Sequence, residues 1–316
     1  MQRWHGIGNF IGAKMPILVL ICVALGVLFP QTFSPFEAVV PVLFAFMTYQ
    51  GALGNTTRQL AEVFRRPLHL LAILGITLVL MPVVAHALAC GLFPGNIPII
   101  TGILIEYAVP IGIVSFMWVG MFNGNTSLAL AAILVSTIIA PVSIPLTLKL
   151  LMGKSIQVDV AGMILNMVFM IALPALAGML TNDFTHGWGK KTLSPALSPA
   201  CKMLLLLIIT SNSTQMSDYI LHMTWDRMGV MVFILLFAVS GFIWGFIAAR
   251  CMGSAAEETV TVTFDCGLRN ISSGAVIATQ YFPGEAVFPV MCGTIFQQLL
   301  AALAGRAMRA YLARRR

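Results

Sequence analysis

The amino-acid sequence predicts an all-α integral membrane protein: ten transmembrane helices in two five-helix halves of opposite orientation. Three observations predict it. Of 316 residues, 59% are hydrophobic and only 9% are charged, against about 25% charged in a soluble domain. Apolar runs of about 20 residues, the length a hydrocarbon core requires, recur along the whole chain. The Lys and Arg residues collect on one side of those runs.

The spans follow in order. Residues 1–15 are short and mildly basic, with Arg3 and Lys14. The first span is expected over 16–29. It lacks a small-residue cleavage site and leads straight into further spans, which separates it from a signal peptide. The second is expected at about 36–54 and the third at about 68–92, joined through Asn55-Thr56-Thr57-Arg58 and the basic loop Arg65-Arg66-Pro67. Met81-Pro82 lies inside the third, which is tolerable where neighbouring groups satisfy the freed carbonyl. His69 and His86 are expected as packed or interfacial side chains. The fourth span, about 97–122, contains Glu106 and the interruption Val109-Pro110-Ile111-Gly112. The fifth, 126–151, carries Ser136, Thr137, Pro141 and Pro145, and Gly153-Lys154-Ser155 closes a first half over 1–155. In the second half, 156–316, the sixth (157–181) and seventh (about 198–214) spans flank a polar loop, Thr181–Lys191. The eighth is expected at about 228–249, the ninth at about 259–281 and the tenth at about 286–305. The tail ends in Arg314-Arg315-Arg316.

Ten spans put both termini on one side. With that side cytoplasmic, the interior holds 14 of the 18 Lys and Arg; Lys149, Lys154 and Arg227 lie outside and Arg269 lies within a span. This asymmetry selects cytoplasmic termini. Five spans per half give the halves opposite orientations, the geometry of an inverted repeat. The net charge of +7 is accounted for by these loops, and no basic run with interleaved aromatics points to nucleic acid. The six cysteines are scattered without a CxxC pair and read as buried thiols rather than disulfides or metal ligands.

Two interrupted stretches carry the functional argument. Glu106-Tyr107-Ala108-Val109-Pro110-Ile111-Gly112 lies in the first half and Phe264-Asp265-Cys266-Gly267-Leu268-Arg269-Asn270 in the second. Gly267 is expected to interrupt the helical pattern between Asp265 and Arg269. Charges at that depth are costly and face a cavity or a partner. Broken spans at corresponding places in two halves point to a transporter binding site. Asp265 lies four residues before Arg269, so a continuous helix would place them on one face. Glu106 is expected as a further partner.

Several stretches together resemble the bile acid:sodium symporter (BASS) family over nearly the whole chain. They are Pro41-Val42-Leu43-Phe44, Gln50-Gly51-Ala52-Leu53, Met81-Pro82, Pro110 to Ser115, Gly124-Asn125, Val135-Ser136-Thr137 to Pro141, and Asp265-Cys266-Gly267-Leu268-Arg269-Asn270. The last is similar to the family's Glu-x-Gly-x-Gln-Asn signature on the ninth helix. The resemblance implies two inverted five-helix repeats. Helices three to five and eight to ten would form a core domain, and helices one, two, six and seven a panel. Broken helices four and nine would cross near mid-membrane. It also implies alternating-access transport of small organic anions, carboxylate or bile-acid-like, through a cavity between core and panel. A bacterial inner-membrane location follows, with the lipid bilayer and the anion as partners, no nucleic acid, and a monomer or weak homo-oligomer.

The departures from the family bear on its two sodium sites. Ser115 is kept, but the amide expected beside it is Phe116. The hydroxyls expected on helix five fall at Ala129 and Ile133, and the glutamine expected on helix three falls at Thr77. The shared glutamate becomes Asp265 and the glutamine four residues on becomes Arg269. Hard cations require several oxygen ligands, and here only Ser115, Thr77 and Asp265 remain as residual sodium-site positions. Arg269 is expected to stand in for bound sodium, giving transport that is sodium-independent, or coupled to protons through Glu106 or Asp265. The alternatives are a sodium-coupled symporter with altered ligands, and a fixed charge cluster that braces the crossover. No other cofactor is expected. Polar candidates for the substrate or ion cavity are Thr77, Ser115, Asn270, Ser272, Ser273, Gln297 and Gln298, with Pro110, Gly112 and Gly267 at the breaks. Enzyme motifs such as HExxH and Gly-x-Ser-x-Gly are absent, and no repeated polar ring marks a channel. The arsenite permeases share the implied fold but place a thiol where Val109 stands. A membrane receptor without transport is the remaining class.

Overall fold

A computed structural model describes residues 2–58, 67–153, 155, 156 and 159–313. The basic residues Arg65, Arg66, Lys154 and Arg314 to Arg316 lie outside them. The described residues form helices and connecting turns, with no strand beyond one isolated bridge. In chain order, α1 is Gln2–Leu28 and α2 is Pro30–Phe33, which a 3₁₀ segment joins to α3, Val40–Ala52. Then come α4 (Pro67–Gly75), α5 (Met81–Leu92), α6 (Ile97–Ala108), α7 (Val114–Met121) and α8 (Thr126–Met152). They are followed by α9 (Val160–Met167), α10 (Leu173–Phe184), α11 (Ser194–Ser213), α12 (Ser217–Leu221) and α13 (Trp225–Cys251). The chain ends with α14 (Ala256–Gly267), α15 (Ile271–Tyr281) and α16 (Gly284–Ala313).

Among the described residues, seven helical stretches are long and apolar enough to cross a membrane. They are Pro30–Ala52, Pro67–Leu92, Thr126–Met152, Val160–Phe184, Gly189–Leu221, Trp225–Cys251 and Gly284–Ala313. The three other expected spans fall on α1, whose apolar part is Ile17–Leu28, and on the pairs α6/α7 and α14/α15. Each member of these pairs is too short to cross alone at about 1.5 Å per residue. The surface is apolar and the interior carries the polar groups: Leu150 is 72% exposed, whereas Thr261 and Asp265 are fully buried. This is the distribution that a lipid solvent selects.

Several boundaries differ from expectation. The first helix begins at Gln2, not near residue 16; it runs through Gly6, Gly8 and Gly12, and Gly8 and Gly12 let it lie close against Pro199 and Lys202 of α11. The polar loop expected over Thr181–Lys191 shrinks to a tight turn. Helix α10 continues to Phe184 and helical structure resumes at Gly189. Buried Asn182 holds that turn: its amide donates to the Asn55 carbonyl (2.9 Å) and its oxygen accepts from the Lys190 N–H (2.9 Å). The helical stretch at the seventh expected span, Gly189–Leu221, runs on well beyond residue 214, and buries Thr210, Ser211, Asn212, Ser213 and Thr214.

Three of the prolines are accommodated by one repeated device. Five-residue π-helical segments cover Ile76–Leu80, Val168–Ala172 and Gly189–Leu193. Pro82, Pro174 and Pro195 each stand two residues beyond one of them. Proline has no N–H and its ring collides with the carbonyl four residues back. Widening the preceding turn moves that carbonyl away and pairs it differently.

Turn and cap chemistry sets the starts of the helices that carry the site. Gly95 takes a positive φ of 83° in the turn before α6. The Asn96 side chain then accepts from the Ile99 N–H (3.1 Å), with Pro98 in the first turn. Asn125 caps α8 through the Leu128 N–H (3.0 Å), and Asn270 caps α15 through the Ser273 N–H (3.3 Å). In the packing, α1 and α3 lie against α11, and α3 lies against α10. A second group brings α13 against α14, and α16 against α6, α13 and α15.

Asn182→Ala removes both side-chain bonds of the Asn182 clamp and leaves a buried donor and acceptor unpaired. A loss of about 1–3 kcal/mol is expected, read as a lower thermal midpoint of the purified protein in detergent. An unchanged midpoint would contradict the clamp.

Candidate functional site

The two interrupted helices meet at their breaks. Ile111 and Arg269 form an antiparallel bridge. The Gly112 N–H donates to the Leu268 carbonyl (3.1 Å), and the Asn270 N–H to the Pro110 carbonyl (2.8 Å). The middle residue of each break is held from a third helix. The Ile111 N–H donates to Ser136 Oγ on α8 (3.2 Å), and the Arg269 N–H to Gln297 Oε1 on α16 (2.9 Å). With proline at 110, every N–H from Ile111, Gly112, Arg269 and Asn270 has an acceptor. That accounting is required wherever helices break away from water.

The approach is close enough to demand glycine at 112. A Cβ there would lie 2.5 Å from the Arg269 carbonyl oxygen and 2.9 Å from its carbon. Gly267 has a different role from the expected one. It is the last residue of α14 and the break falls at Leu268–Asn270. Gly267 leaves room for the Phe242 ring, which any Cβ would overlap.

Because the helix stops at Gly267, Asp265 and Arg269 do not share a helical face. Asp265 turns to the other broken helix, where its Oδ1 accepts from Ser115 Oγ (2.5 Å). Its Oδ2 has no partner. Arg269 turns into a void of about 10 Å³, room for about one water. Glu106, Tyr107, Met81, Phe242, Gly267 and Gln297 line it as well. Arg269 is 4% exposed and Glu106 is 3% exposed. Among the described residues, none of the three guanidinium nitrogens and neither Glu106 Oε2 nor Asp265 Oδ2 has a hydrogen-bond partner. The expected cluster of three charges is thus divided: Glu106 and Arg269 face one void, and Asp265 faces Ser115.

The other candidates are mostly committed to the scaffold. Asn270 caps α15, and the Ser273 hydroxyl donates back to the Asn270 carbonyl (2.7 Å). Gln297 holds the Arg269 amide, and Gln298 Oε1 accepts from Trp118 Nε1 (3.4 Å). The Thr77 hydroxyl donates to the Ile73 carbonyl of its own helix (2.7 Å) and is not brought to Ser115 or Asp265 by any hydrogen bond. Ser272 is half-buried in the first turn of α15. At the positions where the family resemblance implies sodium ligands, Phe116, Ala129 and Ile133 carry no side-chain oxygen, the Thr77 hydroxyl donates to its own backbone, and the Ser115 hydroxyl donates to Asp265.

Two features escaped the sequence reading. Ser136 was visible as a hydroxyl on the helix after the first break, but its bond to Ile111 depends on the crossing. A crevice of about 520 Å³ opens between α3, α9, the π segment Val168–Ala172 and the end of α15. Its lining mixes Pro41, Val42, Phe169 and Met170 with the polar groups of Asn166, Gln280 and Tyr281. These residues come from three distant stretches, and no local signal joins them.

Apolar spans around two crossed, interrupted helices with buried charge define a membrane protein of the secondary-transporter type. Residues 40–223 match the Sodium Bile acid symporter family. The uncharacterized protein YbaS of Bacillus subtilis is 35% identical over 291 residues, covering 92% of this chain and 95% of its own. The uncharacterized sodium-dependent transporter YocS of the same bacterium is 22% identical over 298 residues, covering 94% and 91%. The probable chloroplastic sodium/metabolite cotransporter BASS1 of Arabidopsis thaliana is 25% identical over 289 residues, covering 90% and 70%. The chain belongs to the sodium bile acid symporter family. It is a multi-pass membrane transporter, and not an enzyme.

Gly112→Ala forces a methyl group onto the Arg269 carbonyl and is expected to cost about 1–3 kcal/mol. Gly120→Ala, whose Cβ would meet nothing nearer than Thr126 at 4.0 Å, is the matched control. Equal thermal midpoints for the two variants would contradict the crossover geometry.

Proposed function

We propose that this protein carries small organic anions across a bacterial inner membrane by alternating access, without sodium coupling. The observation that carries the reading is the buried, unpartnered guanidinium of Arg269, held at the crossing of two broken helices. A permanent positive charge there opposes a bound cation at the same depth and attracts a carboxylate. The crevice between α3, α9 and α15 offers the mixed apolar and amide lining that suits the uncharged body of an organic anion.

The proposed architecture is ten spans in two inverted repeats, 1–155 and 156–316, with both termini in the cytoplasm. Several features support it. The breaks correspond residue by residue, with Pro110, Ile111 and Gly112 facing Asn270, Arg269 and Leu268 in antiparallel order. Each break is preceded by a 12-residue helix. Each is followed, after the second half-helix, by a long helix with internal proline, α8 or α16, and that helix supplies the oxygen for the middle amide. The Asn96 side chain donates to Glu285 (2.9 Å), so the turns before α6 and α16 meet at one end. The Asn125 N–H donates to the Glu257 carbonyl (3.1 Å), so the turns before α8 and α14 meet at another.

Sodium coupling is the second reading. It is favoured by the sodium dependence in the names of YocS and BASS1 and by the retained Ser115–Asp265 oxygen pair. The two readings separate in proteoliposomes. Uptake of labelled carboxylates is compared in sodium, in potassium, and under an imposed proton gradient. Equal rates in sodium and potassium are expected, with stimulation by an inside-alkaline gradient. Uptake that requires sodium would overturn the first reading and establish the second.

A further inference from the structure

The void beside the crossover holds two ionisable groups from opposite halves of the chain, and neither is committed to the scaffold. Glu106 enters at the end of α6 and Arg269 from the second break. Glu106 Oε2 and all three guanidinium nitrogens have no hydrogen-bond partner. Helix α16 leaves a socket for the acid, since a Cβ on Gly293 would overlap Glu106 Oε1. Asp265 is different: Ser115 on the opposing half-helix holds it, and it does not line the void.

Charge counting gives the consequence. Arginine keeps its proton in a protein. With Glu106 ionised the void is neutral overall and has no attraction for an anion. With Glu106 protonated it carries one positive charge, the complement of one carboxylate. In a low-dielectric interior that difference decides occupancy. We propose that Glu106 is the proton carrier of the transport cycle, so that its protonation releases Arg269 to the carboxylate of the transported anion. This rests on the anion-transport reading above.

The step balances. A proton from water on the donor side adds to a Glu106 carboxylate oxygen, forming an O–H bond, and, as the alternating-access movement widens the water-sized void, the carboxylate of the substrate takes its place beside Arg269. On the acceptor side the O–H bond breaks, the proton leaves to water, and the Glu106 carboxylate displaces the substrate. One proton and one monocarboxylate cross together and no net charge moves. The other titratable groups around Glu106 do not substitute for it. Cys292 on α16 lies beside it, and a buried thiol is an inert one. Tyr107 on its own helix has its hydroxyl donated to the Ile234 carbonyl of α13 (3.0 Å). Met81, Ala238 and Phe242, which also face the void, do not ionise.

The test needs no substrate. Infrared difference spectra of the reconstituted full-length protein are recorded across a pH titration. The wild type is expected to show protonated-carboxyl bands that disappear as the pH rises. The component from Glu106 is read as the wild-type minus Glu106→Gln difference; it remains in Asp265→Asn, and Glu106→Asp, which retains an acid one methylene shorter, shows it at a shifted frequency. A wild-type minus Glu106→Gln difference without a titrating carboxyl component, or loss of that component in Asp265→Asn, would overturn the proposal. Proton-gradient stimulation of carboxylate uptake is expected to vanish in Glu106→Gln. Sodium-dependent uptake by the wild type would sink the transport reading while leaving the infrared assignment standing, so the two failures are distinguishable.

Discussion

The structure depends on one backbone interaction, the antiparallel bridge between Ile111 and Arg269. Breaking a helix inside a membrane orphans amides that water does not reach, at several kcal/mol for each unsatisfied group. Here two breaks satisfy each other. Gly112 and Asn270 donate across the crossing, and Ser136 and Gln297 receive the two amides left over. Every other feature of the site follows from that pairing. It fixes where Arg269 leaves the backbone, ends α14 at Gly267, starts α15 at Asn270, and sets the ends of four half-helices around one point.

Within this frame the charges have separate tasks. Asp265 and Ser115 tie one broken helix to the other by side chains, beside the backbone bridge. Arg269 and Glu106 share a void of water size without a direct bond. A buried guanidinium without compensation is expensive in any protein and more so in lipid, so the acid opposite it is an electrostatic requirement and not an accident of packing. This division explains how a member of a family whose relatives include named sodium-dependent transporters holds a cationic side chain at its second helix break.

The broad plan was legible in the sequence because it rests on composition and on interruptions. Apolar runs marked the third, fifth, sixth and eighth expected spans to within a few residues, and Pro110 and Gly112 marked the first break. Asn96, Asn125 and Asn270 cap the helices that follow them, a role the sequence reading did not assign to them. What was not legible depends on direction and distance. Spacing alone put Asp265 and Arg269 on one face, since an i to i+4 rule assumes that the helix continues; the helix ends between them. Gly267 read as a breaker, whereas its lack of a side chain serves the Phe242 ring. Gln297 and Asn270 read as ligand groups, and hold backbone instead. The early start of α1 and the continuation of the seventh expected span beyond residue 214 to Leu221 were missed because neither segment carries an apolar run.

The central claim is that Glu106 and Arg269 compensate each other's charge inside the membrane. A double-mutant cycle on thermal stability in detergent tests it most directly, using Glu106→Gln, Arg269→Gln and the combined variant. Each single change strands one buried charge, and the double change strands neither. The account predicts that the double variant is more stable than the sum of the single losses allows. Strictly additive losses would show that the two groups do not sense each other, and would contradict it.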